Sequence, residues 1–432
     1  MATVLTAADP QTQVSLTVLN ELVRGYAPRD FAVRFWDGSV ADPEPGQSAL
    51  FTLVLNHPGA LRKMFFPPQV LSLCQAYLYD DFNIEGDMVA FGRLCDYLDK
   101  LKPTLSILKQ LSLGWQLWNL PNVERPRSGR QNAQLSGEVH SRQRDQQAIS
   151  YHYDLSNEFF ELILGPRMVY TSGIFADTNE DLDAAQQRKL DLLCRKLRLK
   201  AGERFLDIGC GWGGLVMHAA KNYGVHAVGV TISSKQAEWA RAKVRAAGLE
   251  EHCKIELVDY RDVDESKPFD KIVTVEVAEH FGAAQFPVFF QKCWRLLRPG
   301  GSLLIQQITQ ADRSRMTGAL EFNQHYIFPD GELVSMGFTQ DVADKAGFEV
   351  RDMEGIREHY CLTLQHWLRN VEARHDDLVR LTDEATYRIF RLHYSGACRG
   401  FMNNVYSLYQ TLYVKPDGVK SGYPLKREDW YV

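Results

Sequence analysis

From Arg204 to Ile308 the chain alternates between two hydrophobic rhythms. Short, nearly continuous apolar runs recur: "RFLDIG" (204–209), "HAVGVTI" (226–232), "KIELVDY" (254–260), "FDKIVTVEV" (269–277) and "GSLLIQQI" (301–308). Their length and β-branched content predict strands. Between them, "GGLVMHAAKNY" (213–223), "SSKQAEWARAKVRAAG" (233–248) and "FPVFFQKCWRLLRPG" (286–300) space their apolar residues at helical period, the last ending in Pro-Gly. Strands without polar alternation are those covered on both faces. The alternation predicts an α/β class: a doubly wound, mostly parallel sheet with right-handed crossovers. Ligands of such sheets bind at the carboxyl ends of the strands.

The pattern changes upstream. "FAVRFWDGSV" (31–40) alternates and then turns at Asp37-Gly38, a hairpin signal, while "ALFTLVLNH" (49–57) reads as a strand and "PGALRKMFF" (58–66) as a helix start. This predicts a smaller N-terminal α+β domain over 1–124. Residues 125–144 hold five arginines against one glutamate and no apolar period, so 125–149 reads as a basic linker to a larger domain at 150–432. Just before it, Leu101, Leu105, Leu108, Leu111, Trp115 and Trp118 fall at helical spacing. Such a stripe packs on a core or lies on a bilayer, the linker arginines then meeting anionic headgroups. The segment 186–200 adds further basic residues.

Composition narrows the class. The 432 residues are 45% hydrophobic and 24% charged, with net charge -5, which speaks against nucleic acid as a partner. The eight cysteines are scattered without a CxxC pair, which predicts reduced thiols and neither a disulfide framework nor a metal site. Neither a signal peptide nor a membrane-spanning run is legible, so the expectation is a cytoplasmic protein, soluble or peripheral to the membrane.

The chemistry gathers at strand ends. After Ile208, Gly209, Gly211, Gly213 and Gly214 make a turn whose pattern lacks both the Walker lysine and the dinucleotide spacing. Asp207 ends the first strand; Thr231, Ser233 and Gln236 follow the second; Asp259, Tyr260 and Arg261 follow the third. Polar groups at three successive strand ends suit the ribose and base edge of an adenosine.

These features resemble class I S-adenosylmethionine-dependent methyltransferases. A closer resemblance is to the cyclopropane-fatty-acyl-phospholipid synthase and mycolic acid cyclopropane synthase family. It runs through "YHYDLSNEFFELIL" (151–164), "MVYTSGIF" (168–175), "LDIGCGWGG" (206–214), "GVTISSKQ" (229–236), "DYRD" (259–262), "EVAEHFG" (276–282), "YIFPDGEL" (326–333) and "EHYCLTLQHW" (358–367). "AYLYDDFNIEGDM" (76–88) resembles the family's N-terminal lipid-associated domain. The resemblance implies S-adenosylmethionine as cofactor, held by Tyr153, Tyr170 and Thr171 together with Asp207, Gly209, Gly211, Gly213, Thr231, Gln236, Asp259, Tyr260 and Arg261. It implies unsaturated phospholipids as substrate, a homodimer, and methyl transfer to an alkene to form a cyclopropane fatty acid. The intermediate cation needs a dry, aromatic-walled site and a base.

In the family that base is a bound bicarbonate. Carried over, its holders are Glu279, Tyr360 and the Ile308 carbonyl, with Ser172 where the family usually has a cysteine and Gln306 where it usually has a histidine. Serine and glutamine donate hydrogen bonds, but neither carries positive charge. A cation that is not closed to a ring gives a methylene branch, the alternative product. A methyltransferase of a soluble small molecule is the competing class; the basic stretch and the N-terminal segment speak against it.

Overall fold

The computed structural model describes residues 9–101, 106–153, 155–310 and 318–431. It divides into two compact units, the smaller comprising the chain to Gln131, a short segment ending at Asn323, and His375–Arg399.

In the smaller unit β1 (Phe31–Arg34) and β2 (Val40–Ala41) form the hairpin expected at Asp37-Gly38, with Gly38 at φ 82°. The unit adds β3 (Phe51–Leu55) parallel to β1 and β4 (Phe82–Gly86) antiparallel to β3. Phe31 and Phe51 are direct cross-strand partners, and their rings stack at 5.1 Å. His375–Arg399 belongs with this unit although the sequence reading assigns it to 150–432. The reason is a pair of buried arginines. Arg388 donates to the Tyr77 carbonyl (2.9 Å), and Arg391 donates to the Ile84 carbonyl (2.9 Å) and the Tyr77 hydroxyl (3.0 Å).

The helix Ile107–Asn119, capped by the Ser106 side chain, buries Leu113 and Leu117. Its other face carries Leu108, Leu111, Trp115 and Trp118 of the stripe found in the sequence, whereas Leu101 ends the preceding helix Met88–Leu101; these four do not pack on a core, Leu108 being 81% exposed, Leu111 65% and Trp115 69%. Leu105 lies outside the described residues.

In the larger unit seven strands run in the order β10-β11-β9-β8-β5-β6-β7. They are β5 (Arg204–Ile208), β6 (His226–Thr231), β7 (Cys253–Leu257), β8 (Phe269–Val275), β9 (Leu297–Gln310), β10 (Glu349–Gly355) and β11 (Tyr406–Val414). Strands β5 to β9 pair in parallel, and β11 runs antiparallel to both β9 and β10. Successive residues feed opposite cores: Phe205, Val273, Leu304 and Leu412 enter one cluster, Leu206, Ile272, Ile305 and Tyr413 the other. Coverage of both faces explains the continuous apolar runs. The order reverses at β5, between β6 and β8, which opens a crevice above their carboxyl ends.

Two charged stretches differ from their sequence reading. The linker is helical from Arg142 to Tyr153, where Arg142 pairs with Asp262 (2.8 Å) and Arg144 with Asp330 (2.5 Å). In the helix Leu182–Leu197, Lys189 and Lys196 are buried, Arg188 pairs with Glu180 and Arg195 with Asp191. Two of this helix's cations are thus buried and two are paired with carboxylates.

Candidate active site

The turn after β5 is built on backbone angles that glycine adopts without strain: φ is 78° at Gly209, 53° at Gly211 and 83° at Gly213. The three differ in what a side chain would meet. A Cβ on Gly209 would lie 2.4 Å from a Val277 methyl, and one on Gly213 would lie 3.1 Å from Ala240, whereas one on Gly211 would meet nothing within 4 Å. Gly209 and Gly213 serve the fold; Gly211 opens onto free space.

That space is a cavity above the switch point. Tyr153, Tyr170, Thr171, Asp207, Gly209, Gly211, Thr231, Gln236, Asp259, Tyr260 and Arg261 all line it. Of the residues expected at the cofactor only Gly213 is not on its wall; it caps the helix Gly214–Tyr223 instead. Thr231 donates to the Gln236 side-chain oxygen (2.9 Å), leaving the amide nitrogen of Gln236 as its available donor. Asp259 is not free: it accepts from Arg261 (2.6 Å), which also bonds Asp145 (3.0 Å). This triad clamps the rim. Asp207 is different, being buried without a hydrogen-bond donor among the described residues. Burial pushes its carboxyl up to about 7, with the Lys189 ammonium pulling the other way. A glycine turn with open space above one glycine, a poised carboxylate and a free amide fit a cationic nucleoside such as S-adenosylmethionine.

Aromatic rings wall the same cavity, and they reach the glycine turn itself, where Trp212 packs 5.2 Å from Phe160 and 6.1 Å from Tyr153. His152 stacks on Tyr170 (5.5 Å between centroids), which meets Trp367 (5.0 Å) and Phe160 (5.6 Å); Tyr153 lies 6.2 Å from Tyr170. His280 also lines the cavity; burial lowers it to about 4, so it is neutral.

The expected anion holders do not form the expected nest. Three of them converge instead on Glu276, a cavity-lining residue that the sequence reading passed over inside "EVAEHFG". The Ser172 backbone N–H donates to Glu276 Oε1 (2.9 Å), Gln306 Nε2 donates to the same oxygen (2.6 Å), and the Tyr360 hydroxyl also donates to this carboxylate. The Gln306 side-chain oxygen is in turn taken by Gln410 (2.8 Å), and the Ser172 hydroxyl by the Gly173 carbonyl (3.0 Å). Ile308 acts through its N–H, which donates to Glu279 Oε1, and not through its carbonyl. Glu279 Oε2 is buried with no partner among the described residues, and burial, reinforced by Glu276, pushes Glu279 up to about 8. Three of the holders are thus taken by the Glu276 carboxylate and the Ile308 N–H by Glu279, and the arrangement does not fit a bound bicarbonate.

Glu276 follows β8 directly, with φ at 54°, a left-handed conformation that costs a non-glycine residue about 1 kcal/mol or more. Lys189 adds a nearby cation; burial lowers it to about 8, and Glu276 and Asp207 hold it up. The signal that could have found Glu276 is its place at the carboxyl end of a central strand.

A mostly parallel seven-stranded sheet with an antiparallel strand inserted near one edge, and a glycine turn at the switch point, defines a class I methyltransferase fold. The chain belongs to the family described as mycolic acid cyclopropane synthetase, whose model matches residues 140–411. A probable fatty acid methyltransferase of Pseudomonas putida is 36% identical over 404 residues, covering 92% of this chain and 95% of that protein. A probable fatty acid methyltransferase of Mycobacterium tuberculosis is 33% identical over 416 residues, 94% and 96% of the two chains. Among solved structures, the mycolic acid cyclopropane synthase CmaA1 in complex with SAH and CTAB superposes with a TM-score of 0.60 at 30% identity, covering 62% of this chain and 97% of that one.

Proposed function

We propose that the protein is an S-adenosylmethionine-dependent C-methyltransferase acting on the double bond of unsaturated acyl chains in membrane phospholipids. S-adenosylmethionine is the cofactor and supplies the methyl group. The observation that carries the reading is one cavity whose wall combines a glycine turn suited to a nucleoside, aromatic rings and the Glu276 carboxylate. Tyr153 and Tyr170 line that space with aromatic rings, a surface suited to a cation, and further rings pack around them. The exposed stripe Leu108, Leu111, Trp115 and Trp118 supports docking on a bilayer, where the substrate resides.

An open-chain product, a methylene branch, is the first reading, because relatives matching over nine-tenths of both chains are named fatty acid methyltransferases. Ring closure to a cyclopropane is the second, supported by the family model and by CmaA1. Incubation with methyl-labelled S-adenosylmethionine and vesicles of monounsaturated phospholipid tests both. Label must appear in the acyl chains; label only in soluble acceptors overturns the proposal. Proton NMR separates the products, since ring protons resonate upfield and vinylidene protons far downfield.

A further inference from the structure

The cavity wall holds five carboxylates, and three of them are committed to ion pairs: Asp145 and Asp259 to Arg261, Asp330 to Arg144. Asp207 lies in β5, two residues before Gly209 of the glycine turn, where the resemblance places the cofactor. The fifth, Glu276, accepts from Tyr360, whose ring lies 6.1 Å from Trp367 in the aromatic wall. The groups around it are of the kind that cradle a free anion: a backbone N–H, a side-chain amide and a phenol, with Lys189 nearby. Its backbone stands in the left-handed region, where a glycine would be unstrained and would leave the cradle empty.

We infer that the Glu276 side chain is a built-in substitute for a bound anion and accepts the proton released in the reaction. This rests on the acyl C-methyltransferase reading. The alkene π pair forms a bond to the transferred methyl carbon while the carbon–sulfur bond breaks, its pair staying on a now neutral thioether. Positive charge is left on the other alkene carbon. A hydride shift from the methylated carbon moves the charge onto that carbon, a methyl C–H pair becomes the new double bond, and the proton goes to Glu276. Ring closure would release one proton to the same carboxylate. Water takes the proton from Glu276 before the next turnover. The three donors hold the carboxylate in one orientation without neutralising it, and the dry wall spares the cation from water.

The test reads anion binding and turnover separately. Labelled bicarbonate is titrated into the SAH complexes of the wild type and of Glu276→Gly, followed by carbon-13 NMR. The wild type should bind none and the glycine variant should bind it, because the emptied cradle keeps its donors. This measurement needs no lipid turnover, so it stands even if the acyl substrate is wrong. On phospholipid vesicles, wild-type turnover should be the same in carbonate-depleted and bicarbonate-supplemented buffer. Glu276→Gln should keep S-adenosylmethionine affinity and lose about 100-fold or more in turnover, the usual scale of a positioned base. Glu276→Gly should fall similarly and recover in part with added bicarbonate or formate. Bicarbonate bound by the wild type, a wild-type rate that rises with bicarbonate, or near-normal turnover in Glu276→Gln would overturn the assignment.

Discussion

Two parts of the cavity wall are built on opposite plans. At the glycine turn the chain withdraws side chains, and Gly211 leaves open space. At the end of β8, the part assigned to the acyl chain, it adds one: Glu276 projects from a backbone conformation made for glycine and fills a nest of donors. The first plan makes room for a ligand by absence. The second occupies a ligand's place with a covalently attached group, which needs no binding equilibrium and cannot dissociate. Donors gathered around a point do not by themselves indicate a loose ligand, because a side chain of the same protein can already fill them.

The comparison breaks most sharply at Gly211. Its Cβ would enter open space, so Gly211→Val should fold, at the cost of a strained φ of 53°. The methyl groups would then occupy the room reserved for the nucleoside. S-adenosylmethionine affinity should fall by about 100-fold or more, equivalent to about 3 kcal/mol. Gly209→Val offers the contrast, since the contact of 2.4 Å with Val277 should destabilise the fold itself. Titration calorimetry and thermal melts on both variants check this: binding near normal in a folded Gly211→Val protein sinks the role given to the turn.

The part at the end of β8 is sharpened by Tyr360→Phe. This change deletes one donor to Glu276 and leaves the ring, which packs 4.6 Å from Phe401. A hydrogen bond to a charged group is worth about 1.5–3 kcal/mol, so turnover should drop by about 10- to 100-fold with cofactor affinity unchanged. An equal loss in affinity would show that Tyr360 serves the nucleoside.

Legibility followed the same division. The strands, the crossovers and the glycine turn were readable because they rest on local periodicity and on conformations that glycine alone adopts readily. Eleven residues expected at the cofactor came to the cavity wall, because strand ends in a parallel sheet share one edge. Glu276 was not readable as the centre of the part assigned to the acyl chain. Its three donors come from positions 172, 306 and 360, which only the fold brings together. Ser172 looked like a side-chain ligand, yet its backbone makes the contact. The stripe on Ile107–Asn119 showed its period plainly, but period alone does not say which face turns outward; Leu113 and Leu117 between the stripe positions took the buried side. Of the basic residues in 186–200, Lys189 and Lys196 are buried, which no local pattern announces.

The smallest expected effect on turnover is at Glu279. Burial first, and the neighbouring Glu276 second, push this carboxyl up to about 8, so near pH 7 it carries its proton. Glu279→Gln therefore replaces one neutral acceptor of the Ile308 N–H by another, and turnover should change by no more than about threefold, far less than the 100-fold scale of a positioned base. The consequence falls on stability instead. Between the ordinary value of 4.5 and about 8, the folded wild type keeps a proton that the unfolded chain has released. The unfolded state then binds fewer protons than the folded one, so this group's contribution to stability falls as pH rises through that window, by up to about 1.4 kcal/mol per pH unit. Glutamine has no proton to lose. Relative to wild type, the Glu279→Gln protein should gain stability steadily from pH 5 to pH 8 and run parallel to it above. Denaturant unfolding at several pH values measures the difference. A constant offset across that range would mean that Glu279 is ionised in the folded protein, and a turnover loss of 100-fold would return the base to Glu279 and away from Glu276.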